Sequence, residues 1–89
     1  MIRHPVTIIN KLGLHARATA KLVATASKFE SNVSISGKNR EVNAKNIMQV
    51  MMLGASKGTK IELIADGHDE HEAIAALVEL IDDYFGEGE

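Results

Sequence analysis

Apolar and polar positions change their spacing several times along the chain, and each change marks an element. Ile2, Val6, Ile8 and Ile9, mixed with Thr7 and Pro5, predict a strand over residues 2–9. It suits a sheet edge, where the missing donor of proline is tolerated. Gly13 breaks it. From Ala16 to about Phe29 the chain turns to helix formers, with Thr19, Leu22, Val23, Ala26 and Phe29 or Glu30 recurring at three and four. That spacing predicts a first helix, opened at His15. Residues 32–36 alternate with period two, Gly37, Lys38 and Asn39 supply a turn, and residues 40–43 answer as a short polar strand, so a hairpin is expected. Asn46 can cap a short second helix over residues 47–53, closed by Gly54, with Gly58 in the loop beyond. Residues 60–66 read as a strand with Ile61, Leu63 and Ala65 on one face and Ile64 on the other. Asp69 and Glu72 resemble a capping box, in which Asp69 accepts from a first-turn amide and Glu72 reaches back. A third helix then follows, expected to bury Ile74, Leu77, Val78, Ile81 and Phe85, and residues 86–89 are expected to be loose.

The order is therefore β-α-β-β-α-β-α, an α+β chain. A right-handed crossover through the first helix makes strands one and two parallel and leaves room between them for strand four, antiparallel to both. The hairpin places strand three outside strand two. The expected product is a four-stranded antiparallel sheet in the order 1-4-2-3, with three helices on one face and the other face open.

Length and charge narrow the function. The 89 residues fit one domain, residues 1–89, with a modest core. Ten Lys and Arg stand against twelve Asp and Glu, for a net charge of −2, and the only aromatics are one Tyr and two Phe. A nucleic-acid binder would carry a basic stripe or stacking rings, so none is expected as a partner. There is no Cys, hence no disulfide framework and no thiolate metal site. No apolar run approaches the roughly 20 residues of a membrane span, and no signal peptide is evident, so no membrane insertion and a cytoplasmic location are expected.

Three clusters are candidates for chemistry. His15 sits where a strand turns into a helix, followed two residues later by Arg17. A neutral imidazole is a competent nucleophile near pH 7. A phosphoryl group on that ring would meet the free amides of Ala16 and Arg17, and the Arg17 guanidinium would neutralise its charge. The bland alternative makes His15 a polar cap and Arg17 a solvated residue, although histidine is a poor cap and arginine opposes the dipole there. The second cluster is the helix over residues 47–53, with Gln49 its only polar residue. Two turns on a small domain can bury one side only, which would leave Ile47, Met48, Met51 and Met52 in solvent as an adaptable docking face. Cover by the adjoining loop is the alternative. The third cluster, His68 to Glu72, has histidines three apart, but a solvated acidic helix start explains it better than a metal site. No metal and no cofactor are expected.

The run Gly13-Leu14-His15-Ala16-Arg17, residues 42–48 with Val50-Met51-Met52-Leu53, and Lys57-Gly58 resemble HPr, the histidine-containing phosphocarrier family of the bacterial phosphoenolpyruvate-dependent sugar phosphotransferase system. The resemblance spans essentially the whole chain and implies an open-faced β-sandwich of the connectivity given above. It implies that His15 accepts a phosphoryl group on Nδ1 from phosphorylated Enzyme I and passes it to a histidine or cysteine of an Enzyme II A domain, with Arg17 contacting the phosphate. Such a protein is a covalent carrier and no enzyme. A monomer is expected, docking partners through the second helix together with Leu14 and Ala20. A nitrogen-branch carrier acting mainly as a regulatory protein-binding module is the alternative, and a hydrolytic or metal-dependent enzyme a remote third. Two positions depart from the family pattern. Ala18 stands where proline is frequent. Asn46 stands where many relatives carry a regulatory serine, and its amide cannot take that phosphate, although it can still cap the helix.

Overall fold

In the computed structural model, which describes residues 1–88, the elements follow the expected order. They are β1 (Ile2–Thr7), α1 (Ala16–Ala26), β2 (Asn32–Gly37), β3 (Arg40–Asn43), α2 (Ile47–Leu53), β4 (Lys60–Asp66) and α3 (Glu70–Asp82), closed by a 3-10 turn over Tyr84–Gly86. The sheet order is β1-β4-β2-β3, every neighbouring pair antiparallel. Register sets the inner face. Val33 pairs with Ala65, and Ile35 pairs with both Leu63 and Val42. Because side chains alternate along a strand, these residues and Ile61 point together into the core. Ile64, on the opposite face as expected, is nevertheless almost fully covered and lies apart from the main cluster.

The helices close the inner face. Ala18, Leu22 and Ala26 of α1, Val50 and Leu53 of α2, and Ala73, Ile74, Leu77 and Ile81 of α3 form one core with the strands. The stripe on α1 has the predicted spacing, and the helix stops at Ala26. The chain tightens there, Lys28 and Phe29 donating to Thr25 and Ala26 at three-residue spacing. Phe29 is half-buried beyond the helix, and Val78 of α3 is likewise only partly covered.

Two expectations at the C-terminal third need correction. Asp69 does precede α3, but its carboxylate makes no cap to that helix. It accepts instead from the amides of Glu30 and Ser31, each at 2.9 Å, and from the Ser31 hydroxyl. Three donors on the α1–β2 loop outcompete one first-turn amide. Glu70, not Glu72, reaches back, accepting from the Gly67 amide at 3.1 Å. Phe85 is fully buried as expected, but not from helix three. The helix ends at Asp82, and Tyr84 and Phe85 take left-handed φ angles of 55° and 53°. That reversal folds the tail back on α1, where the Lys21 ammonium donates to the Phe85 carbonyl at 2.6 Å. Gly86 and Glu87 are therefore held by backbone bonds to Asp83 and Tyr84, and Glu87 also by its side chain, where a loose tail was expected; Gly88 is exposed, and Glu89 lies outside the described residues.

Candidate functional site

The site is assembled by a turn that only glycine fits. Asn10 accepts from the Gly13 amide at 3.1 Å, Gly13 has φ +66°, and Leu14 donates to the Ala55 carbonyl at 2.8 Å. A Cβ on Gly13 would lie 2.7 Å from the Ala55 oxygen and the Ser56 Cα. The two loops thus lie backbone to backbone, which aims the next residue outward. His15 is extended (φ −76°, ψ 178°) and is the N-cap of α1. Its carbonyl accepts from Thr19 at 2.8 Å, and the buried Thr19 hydroxyl donates to Leu14 at 3.2 Å.

The imidazole has opposite partners on its two nitrogens. Nδ1 accepts from the Arg17 amide at 3.3 Å, and Nε2 meets the carboxylate of Glu87. An amide donor requires a lone pair on Nδ1, and an ionised carboxylate requires a proton on Nε2, so the network itself selects the Nε2–H tautomer. The carboxylate is anchored in turn. Asn10, fully buried, donates through Nδ2 to Glu87 at 2.9 Å and to the Gly13 carbonyl at 2.8 Å. Both partners are acceptors, which fixes the amide's orientation and leaves Asn10 Oδ1 buried with no partner among the described residues. Donation from Asn10 first, and from His15 after it, holds the Glu87 carboxyl below its ordinary value. His15 keeps 28% of its side-chain surface exposed against 13% for Glu87.

His15, Ala16, Arg17 and Glu87 line one cleft of about 630 Å³ with Leu12. A larger hollow of about 820 Å³ between His4 and α3 shares none of these residues. His15 is therefore a helix cap and a cleft-lining group at once. Arg17 is exposed on the first turn of α1, as is Ala16, and Ala20 is exposed one turn further on. Ile47, Met48, Met51 and Met52 stand 45%, 70%, 43% and 65% exposed, while Val50 and Leu53 face inward. Helix α2 packs against α1, the helix that His15 caps. Asn46 caps α2 through its side chain, accepting from Gln49 at 3.1 Å. Leu14 does not belong to that surface: it is 6% exposed and sits in the core, because its backbone is drawn against Ala55. His68 pairs with Glu30 in solvent, and His4 is exposed. Sequence reasoning missed Asn10 and Glu87. The one available signal was an isolated carboxylate between glycines in a chain with a histidine to serve.

A histidine at a helix start, on an open-faced sheet with the order β1-β4-β2-β3, defines a class of phosphocarrier domain. A family model described as the phosphorylation site of the HPr component of the PTS matches residues 2–83. The chain belongs to this HPr family of phosphotransferase-system phosphocarriers, whose members carry phosphate and are not enzymes. It is 61% identical over 87 residues to phosphocarrier protein HPr of Xylella fastidiosa strain Temecula1, covering 98% of each chain. Among solved structures, it superposes on HPr-C-His from Thermoanaerobacter tengcongensis with a TM-score of 0.95, at 52% identity and 98% coverage of both chains. The crystal structure of an HPr dimer from the same organism matches at a TM-score of 0.79 and 54% identity, covering 92% of this chain and 94% of that one. A dimeric relative means that family membership does not support the expected monomer.

Proposed function

We propose that Nδ1 of His15 accepts a phosphoryl group from phosphorylated Enzyme I of the sugar phosphotransferase system and hands it to an Enzyme II A domain. The observation that carries this reading is the Nδ1 lone pair, facing the start of α1 with its proton held at the far side of the ring. The donor's phosphoryl approaches in line. As the Nδ1–P bond forms, the bond from phosphorus to the donor nitrogen breaks and its electron pair leaves with the donor. The Arg17 amide, no longer needed by the lone pair, donates to a phosphoryl oxygen, with the Ala16 amide beside it and the guanidinium spreading the charge. Positioning supplies most of the rate. The apolar face of α2 with Ala20 docks each partner in turn, and the same face serves donor and acceptor, so each contact is brief.

Incubation with labelled phosphoenolpyruvate and purified sugar-branch Enzyme I tests it. One acid-labile, base-stable phosphohistidine is expected on His15, and none in His15→Ala. Label retained by that variant would sink the reading. Faster labelling by a nitrogen-branch Enzyme I would move the chain to that branch.

A further inference from the structure

From the pairing of Nε2 with Glu87, and resting on the carrier reading above, we infer that Glu87 is a positioning residue for phosphoryl transfer. Its carboxylate holds the acceptor ring by the nitrogen that does not react. Three observations carry this. The carboxylate is on Nε2, so it does not compete with phosphate for Nδ1. It is itself oriented by a fully buried Asn10, which gives up hydrogen bonding at Oδ1 while donating to Glu87 and Gly13. The chain also accepts two successive non-glycine residues at positive φ, Tyr84 and Phe85, to bring the carboxylate there. Backbone in that region costs energy and persists where surrounding contacts over-determine it, as the buried Phe85 ring and the Lys21 bond do here.

The chemistry balances without another reactant. Nδ1 contributes its lone pair to phosphorus while Nε2 keeps its proton, so the ring becomes an N-phosphorylated imidazolium. Positive charge grows on that ring as the donor's P–N bond breaks, and the Glu87 carboxylate faces it at Nε2–H. The same arrangement, a carboxylate fixing tautomer and orientation of an imidazole, operates behind many metal-bound histidines and in the serine-protease triad. Onward transfer reverses the charge, leaving neutral His15 again as the Nε2–H tautomer.

Two variants, Glu87→Gln and Glu87→Ala, with ¹⁵N-labelled histidine test the role. In the parent, the Nε2–H proton of His15 is expected as a distinct signal, downfield of a free imidazole N–H. In Glu87→Ala that signal should vanish by exchange with water, and in Glu87→Gln it should move upfield. Phosphorylation by Enzyme I should slow by about 10- to 100-fold in both, taking as a guide the range for losing the partner behind a metal-bound histidine, while the amide spectra stay dispersed as in the parent. Parent rates in both variants, or a ring signal indifferent to Glu87, would overturn the inference. So would a rate loss that appears only where the folded spectrum is lost, since Glu87 would then be structural. If the parent itself takes no phosphate while its ring signal depends on Glu87, the carrier reading fails and the ring–carboxylate pair survives.

Discussion

At the scale of single residues, the site is a division of labour across one imidazole. The nitrogen that caps α1 by accepting from the Arg17 amide is Nδ1, the same atom proposed as the nucleophile. The Arg17 side chain is a separate device, exposed and outside the core. Arg17→Ala should therefore melt with the parent yet slow transfer by about 100-fold, comparable to removing one charge-stabilising donor. Rapid-quench kinetics with phosphorylated Enzyme I would show it, and a parent-like rate would remove the guanidinium from the reaction. His15 and Arg17 were legible in the sequence because both are poor choices for a helix start that only had to be stable. Asn10 and Glu87 were not, because a lone Asn before a turn and a Glu between glycines carry no periodicity. What joins them is a tertiary fold-back.

At the scale of elements, the same contrast recurs. The α2 face was legible: a two-turn helix with one polar residue cannot bury all its side chains, and Met48 is 70% exposed. Met48→Asp should change stability by under about 0.5 kcal/mol and cost docking more than about 1 kcal/mol. Calorimetric titration with Enzyme I would measure the docking and urea unfolding the stability, and an unchanged affinity would take α2 out of the docking surface. The start of α3 was misread because a capping box is a local rule and Asp69 obeys a distant partner. Bonds from the Ser31 hydroxyl and the Glu30 amide, in that order, lower its carboxyl to about 2 from 3.8. Between those values the unfolded chain binds more protons than the folded one, so stability rises with pH there. The contribution is complete above the unfolded value and is lost as pH falls through about 2. Asp69→Asn should accordingly melt below the parent at pH 6, with the gap narrowing between about pH 4 and pH 2. A gap independent of pH across that window would contradict the assignment.

At the scale of the molecule, the sheet order followed from two rules, the right-handed crossover and the tight hairpin, and needed nothing from tertiary contacts. The closure of the chain needed everything from them. Phe85 plugs the core from a segment with left-handed backbone and holds the tail against α1. Phe85→Ala should lose about 3–5 kcal/mol in urea unfolding and also release Glu87 from the histidine. A loss below 1 kcal/mol, about that of an exposed position, would mean that the tail is not anchored by this ring. The histidine and its carboxylate are separated by 72 positions in the chain, and the strand leading to the histidine pairs with β4, which is made late. On the inferred role of Glu87, the orientation of His15 therefore reports on the whole fold: a molecule whose tail comes undone keeps the cap at Nδ1 and loses the hold on Nε2.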